Sequence, residues 1–206
     1  RPKTFDDIIG QEHVTTTLKN QIANDRIAHA YLLCGTRGTG KTSTAKVMAK
    51  ALNCLNPKDG NPCNECEMCK KISQGLAIDV NNGIDKIRDI IDDTKYPPQE
   101  GKYKIYIMDE VHMLSMVAVN AFLKTLEEPP QNVIFILATT DPQRLPITIL
   151  SRCQRFDFKR ISIKDLTERL RTIVTAQGVL ADDKSLDLIA RVSDGAARDA
   201  LSILDQ

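Results

Sequence analysis

The chain has 206 residues, 42% of them hydrophobic and 27% charged, and a formal net charge of +1 at pH 7. This length allows one large domain, or one plus a small one, and the composition excludes a fibrous or disordered chain. The charge balance excludes a polycationic nucleic-acid binder, because phosphate neutralisation needs clustered Lys and Arg, so any DNA contact must be local or shared between subunits.

No apolar run approaches the roughly 18 residues that a membrane span needs, and no signal-like stretch follows Arg1. A cytosolic fragment without a membrane partner is therefore expected. Taken in chain order, the first predicted element is a short buried strand over Ala30–Cys34. It runs into GTRGTGKTS, where Gly35, Gly40, Lys41 and Thr42 fit the pattern G-x-x-x-x-G-K-[ST]. In such a loop the backbone N–H groups wrap phosphates, the lysine reaches the β and γ oxygens, and the hydroxyl holds Mg²⁺. A glycine turn before a helix is the bland alternative, but from average glycine usage a chance match in a chain this long is on the order of one in a hundred. Ala45, Met48, Ala49 and Leu52 then recur at helical spacing, so strand, loop and helix stand in the order that a phosphate site requires.

Six cysteines in a chain expected to be cytosolic need a role other than disulfides. Cys54, Cys63, Cys66 and Cys69 have the spacing C-x8-C-x2-C-x2-C, and CLNPKDGNPC is a loop long enough to bring the first back to the other three. Tetrahedral Zn²⁺ is the expected ligand, in a closed structural site that staples an insertion too short for its own core. An iron–sulfur cluster is the rival, but the C-P that ends the ferredoxin pattern is absent. Cys34 and Cys153 read as ordinary small apolar residues.

Lys104 opens a predicted strand, KIYIMDEVH, that delivers Asp109 and Glu110 at its C-terminal end, where an open α/β sheet places its ligand. Asp109 would hold Mg²⁺ through water, and Glu110 would polarise a water for in-line attack on the γ-phosphate. Further strands are predicted at Val133–Ala138 and Gln154–Phe158, which with the intervening helices make a parallel α/β sheet. Near Arg160 the texture changes to all-helical. Ser162 and Asp165 form a capping-box pattern opening a helix that Gly178 closes, followed by helical patterns at Asp183–Val192 and Ala196–Leu204.

These motifs resemble those of the γ/τ ATPase family of bacterial DNA polymerase III clamp loaders, within the AAA+ superfamily. The likeness covers nearly the whole chain. It is carried by RPKTFDDIIGQEHV, HAYLLCGTRGTGKTS, the four spaced cysteines, YIMDEVHMLS, NAFLKTLEEPP, FILATTDPQRLPITILSRCQRF and ARDALSILDQ. It implies an AAA+ α/β domain over residues 1–160, with sheet order 5-1-4-3-2 and a zinc module inserted at about 54–75. A small helical lid over residues 161–206, continuing past Gln206, would follow.

The resemblance also implies roles that the residues alone do not assign. Thr140 falls on the sensor 1 position near the γ-phosphate, and Arg152, in SRC, on the arginine finger that acts on a neighbouring subunit's nucleotide. Arg198 falls on sensor 2; it lies in the first turn of a helix, where a cation opposes the macrodipole unless an anion is close. Thr36, Arg37, Gly38, Thr39 and Ser43 join the loop in binding ATP or ADP, and Ile8, Ile9 and Gly10 line the adenine pocket. Lys124 and Arg88 occupy positions that touch DNA backbone. The implied activity is ATP hydrolysis that opens a ring-shaped β sliding clamp and loads it on primer–template DNA. The implied partners are δ, δ′ and further γ/τ copies within a DNA-directed DNA polymerase, a nucleotidyltransferase. A nucleotide kinase with a zinc-bearing lid is the alternative, and would need neither Glu110 as a base nor the SRC arginine. A non-hydrolysing scaffold subunit would tolerate a damaged loop, whereas Gly35 to Thr42 are intact.

One departure from the family pattern falls at GLAIDVNNGIDKIRD, which is short by about seven residues between Val80 and Asn81, the usual length of a strand. The sequence as read is expected to close over a fifth-strand segment there, with a true deletion as the alternative. Bonded Cα atoms about 3.8 Å apart across Val80–Asn81 would favour the deletion.

Overall fold

The computed structural model describes residues 2–74, 77–79 and 83–205. The elements run α1 (Glu12–Ala23), β1 (Ala30–Cys34), α2 (Lys41–Asn53), α3 (Glu67–Gln74), β2 (Ala77–Asp79), α4 (Gly83–Asp93) and β3 (Lys104–Asp109). They continue with α5 (Met116–Glu127), β4 (Val133–Thr139), α6 (Ile147–Leu150), β5 (Gln154–Asp157), α7 (Ile163–Ala176), α8 (Asp183–Val192) and α9 (Ala197–Leu204).

All strand pairs are parallel and the order is β2-β3-β4-β1-β5, the expected order read from the opposite edge. Every residue of β1 and of β4 is buried. Their unbroken apolar runs follow from helices lying on both faces of a parallel sheet. The strand period of two then sorts side chains. Tyr31 and Leu33 pack with Val14, Leu18, Val47 and Met48 of α1 and α2, whereas Leu32 and Cys34 pack with Ile87, Phe122 and Leu126 of α4 and α5.

The edge strand is where the sequence expectation needs correction. A fifth strand was expected from residues absent between Val80 and Asn81; it is formed instead by Ala77–Asp79, paired with β3 in the register Asp79↔Asp109. Three residues are too few to show alternation, and Asp is disfavoured in strands, so the sequence carries no signal of it. The Val80–Asn81 junction itself lies outside the described residues.

After β5 the chain turns helical, and α7, α8 and α9 enclose a separate cluster of Ile161, Leu166, Leu170, Val174, Leu186, Ala190 and Ala200. Ser162 caps α7: its Oγ accepts from the Asp165 N–H at 3.1 Å while its hydroxyl donates to Asp165 Oδ2 at 2.7 Å. Half of the expected capping box is therefore formed: Asp165 accepts from the Ser162 hydroxyl and not from its backbone N–H. At the other end Gly178, at φ 71°, donates to Thr175 O, and Val179 donates to Val174 O. This left-handed closure uses the glycine as predicted.

Gln11 ties the N-terminal stretch to the segment that follows β5. Its fully buried side chain donates from Nε2 to Lys159 O at 2.6 Å and accepts from Lys159 N at 3.0 Å. Gln11→Ala strands one carbonyl and one amide, and is expected to cost about 2–4 kcal/mol in denaturant unfolding. A loss under about 0.5 kcal/mol would show that water replaces both bonds.

Candidate functional site

The parallel sheet aligns the C-terminal ends of β1, β3 and β4 beside the N-terminus of α2, and the candidate nucleotide residues meet there. The loop between β1 and α2 uses its glycines differently. Gly35, at φ 150°, passes so close to the chain after β5 that a Cβ would sit 2.7 Å from Phe158 O. Gly40, at φ 102°, is the left-handed residue that starts α2. Thr39 Oγ1 donates to Thr36 O at 2.8 Å and stiffens the bend.

Lys41 is only 5% exposed, and its ammonium donates to Gly35 O and Thr36 O at 2.8 Å each. Burial pulls its pKa below the ordinary lysine value, against the opposing carboxylates of Glu110 and Asp109. The cation is thus held at the mouth of the loop by neutral carbonyls, which a phosphate would replace with full counter-charge. Thr42 Oγ1 donates to Asp109 Oδ2 at 2.7 Å. A hydroxyl and a carboxylate so placed fit a hard octahedral cation such as Mg²⁺, which keeps most of its waters.

Glu110 follows β3 in the left-handed region, at φ 50°, and starts the short turn Val111–Met113. A non-glycine residue there is strained by roughly 1–3 kcal/mol and persists because its surroundings hold it. Here the holders are explicit: Glu110 Oε2 accepts from the Thr140 N–H at 3.2 Å and the Thr140 hydroxyl at 2.9 Å. His112 Nδ1 lies 3.3 Å from the same oxygen and 2.9 Å from Thr139 Oγ1, which also accepts from the Asp141 N–H. Thr36, Arg37, Glu110, His112, Met113 and Thr140 line an open cleft of about 540 Å³. The sequence reading missed His112 and Thr139. The signal for His112 was present, since it lies on the same short turn as Glu110.

Two further segments border the loop. Ile8 Cγ2 lies 3.7 Å from where a Gly40 Cβ would stand, Ile9 packs on the cluster of α7–α9, and Gly10, at φ 69°, faces Ile161. The N-terminal stretch is therefore wedged between the loop and the three C-terminal helices. From the other side, the Ala197 N–H at the start of α9 donates to Gly38 O at 3.0 Å, and a Cβ on Gly38 would meet Ala196 Cβ at 2.7 Å. Arg198 stands next, exposed, in the first turn of α9; Ser43 lies half-buried in the first turn of α2.

Other predicted residues lie elsewhere. Arg152 follows α6, and its guanidinium donates to Glu127 Oε1 at 2.6 Å and Thr148 O at 2.8 Å. Lys124 is exposed on α5. Arg88 is exposed on α4 and pairs only loosely with Asp85, at 3.5 Å.

The four cysteines converge: the Sγ atoms of Cys54, Cys63, Cys66 and Cys69 all lie within 4.8 Å of one another. Sulfurs about 2.3 Å from one tetrahedral ion are about 3.8 Å apart, so the cluster has the right size for zinc. Backbone N–H groups of Cys63, Cys66 and Cys69 donate to the sulfurs of Cys54, Cys63 and Cys66 at 3.2, 3.3 and 3.5 Å. Such donors favour thiolates. Burial raises the Cys66 pKa, but the Leu55 and Cys69 amides and the neighbouring thiols outweigh it, bringing the group down to about 6. By contrast, burial pushes Cys34 up to about 11 and Cys153 up to about 12, as suits inert thiols.

Comparison with known proteins follows the same lines. Residues 10–162 match the family model described as DNA polymerase III, delta subunit, and residues 165–206 that of the DNA polymerase III clamp loader subunit, ATPase lid domain. The chain is 54% identical to DNA polymerase III subunit tau of Bacillus subtilis and 46% identical to that of Escherichia coli, in each case over all of this chain. It spans only 38% and 33% of those two relatives. Both matches extend over 213 positions against the 206 of this chain. Among solved structures, the RuvB Holliday junction branch migration motor of Thermotoga maritima shares the fold, with TM-score 0.72 and 21% identity over 98% of this chain and 63% of that one. A DNA polymerase III gamma subunit-related protein from the same organism matches with TM-score 0.57 and 26% identity, over 87% of this chain and 57% of that one. With its parallel sheet, intact phosphate loop and C-terminal helical lid, the chain belongs to the clamp-loader subunits of bacterial DNA polymerase III, of the γ/τ type.

Proposed function

We propose that this chain is the ATP-hydrolysing motor region of a clamp-loader subunit. The observation that carries the reading is Glu110: a carboxylate held by Thr140 at the mouth of an intact loop, beside the Thr42–Asp109 pair. The 1–160 part would bind nucleotide and the 161–206 part would act as its lid, with Arg198 reaching the phosphates from the first turn of α9. Bound Mg²⁺ would neutralise charge on the β and γ oxygens.

Within this chain the first steps are exchanges of hydrogen bonds. A phosphate oxygen takes the place of Gly35 O and Thr36 O at Lys41. The γ-phosphate competes for the Thr140 hydroxyl, which frees Glu110 to accept a proton from the attacking water. ATP would therefore both charge the site and release its base. Ile8, Ile9 and Gly10 would position adenine between loop and lid.

Arg152 would complete the site of an adjacent subunit, so turnover would depend on assembly with δ, δ′ and further γ/τ copies. The energy released would switch that assembly between states that hold and release a β sliding clamp on primer–template DNA, with Lys124 and Arg88 on the DNA side. Zn²⁺ on the four cysteines would staple the loop between α2 and α3. A replication complex of this kind works in the cytosol, and no described helix is long and apolar enough to cross a membrane.

The test is phosphate release by the assembled complex. It is expected to rise when sliding clamp and primed DNA are added together. A phosphorylated small acceptor, with phosphate release indifferent to clamp and DNA, would instead establish the kinase reading.

A further inference from the structure

Lys50 is a buried cation with no use in the chemistry described so far. It lies in the last turn of α2, only 7% exposed, and no carboxylate among the described residues forms an ion pair with it. An ammonium has three N–H donors. Lys3 O accepts one at 3.2 Å and Asn64 Oδ1 another at 2.5 Å, and no described atom accepts the third. A buried charge without a counter-charge is costly, and a sequence that keeps one has a partner of opposite sign nearby.

Its position identifies that partner. Lys50 precedes Cys54 by one helical turn, so both fall on the same side of α2. Its acceptor Asn64 stands between Cys63 and Cys66, at φ 61°, and shapes the turn whose amides donate to sulfur. Burial lowers the Lys50 pKa, with the Cys69 thiol and the Asp7 carboxylate acting against that shift and Lys3 adding to it. Lys50 is thus tied by position to Cys54 and, through Asn64, to the turn that carries Cys63 and Cys66. Four thiolates on a divalent ion carry a net charge of about −2, which a half-buried site must balance.

We propose that Lys50 is the charge-balancing residue of the four-cysteine centre, its ammonium offsetting the negative charge that four thiolates leave on a bound zinc ion. The proposal rests on reading the cysteines as a zinc site. Without metal the ammonium has only the Lys3 and Asn64 oxygens as partners; with metal it faces the excess negative charge of four thiolates. Lys50 also fixes the metal turn to the helix that begins at the phosphate loop.

The experiment compares the wild-type chain with Lys50→Met and Lys50→Arg, using metal analysis, zinc release to a chromophoric chelator, and melting of zinc-loaded and zinc-free protein. Wild type is expected to hold about one zinc per chain. Lys50→Met, which keeps the length and apolar stem, is expected to weaken zinc binding by about 10–100-fold, the usual effect of losing an outer partner, with Lys50→Arg within about threefold of wild type. Zinc-free Lys50→Met is expected to melt no lower than zinc-free wild type, because a lone buried charge has been removed. Unchanged zinc affinity in Lys50→Met, or equal destabilisation of loaded and zinc-free protein, would overturn the proposal and leave Lys50 as packing. Iron in place of zinc in the wild type, or no metal at all, would overturn the metal reading itself.

Discussion

Lys41→Ala is expected to weaken nucleotide binding at least about 100-fold, whereas Glu110→Gln is expected to bind ATP within about twofold of wild type and lose roughly 10²–10⁴-fold in turnover. The two differ because they act at different stages. Lys41 supplies the buried counter-charge that a triphosphate finds on arrival, now engaged only by the carbonyls of Gly35 and Thr36. Glu110 makes no hydrogen bond to the phosphate loop; its oxygen is engaged by Thr140 and lies near His112. Glutamine has the same shape and can still accept from Thr140, so the resting geometry survives while the proton acceptor is lost. Titration with a fluorescent ATP analogue and single-turnover hydrolysis in the assembled complex separate the outcomes. Equal loss of binding in both variants would remove the division of roles.

The second large effect is expected from Arg152→Ala. The isolated chain should bind ATP within about twofold of normal, while hydrolysis by the assembled complex falls by about 10³–10⁵-fold, the range for an arginine finger supplied in trans. Arg152 is engaged by Glu127 and Thr148 on its own subunit and stands apart from the residues around the loop, so its loss leaves its own pocket intact. Turnover of the complex unchanged by the substitution would refute the trans role. Reduced ATP binding by the isolated chain would place the arginine in its own site.

What could be read from the sequence followed the range of the interactions involved. Strands β1 and β4 were legible because burial on both faces leaves an unbroken apolar run; β2 was not, because three residues at an edge are fixed by β3 and not by their own pattern. The phosphate loop and the four cysteines were legible because each motif is compact in sequence. The Glu110–Thr140 contact spans 30 residues, and His112–Thr139 spans 27; both arise only when β3 and β4 lie side by side. Resemblance supplied Thr140, and the turn after Glu110 held the signal for His112, but nothing supplied Thr139. Gln11 and Lys159, 148 residues apart, lay beyond any local signal. Arg152 is the opposite case. Its surroundings in a single chain look like an ordinary surface ion pair, and only the family likeness gives it a partner.

The bond from the Ala197 amide to the Gly38 carbonyl couples time to structure. The curve of the loop at Gly38 leaves no room between it and α9 for even one methyl group. Any nucleotide that shifts the loop at Gly38 is therefore expected to shift the first turn of α9 with it. An amide held in such a bond exchanges its hydrogen for deuterium only when the bond opens. The Ala197 amide is consequently a clock for that opening: its exchange should run ahead of the amides inside β1 and β4 and change its rate when nucleotide binds, reporting the parting of α9 from the loop.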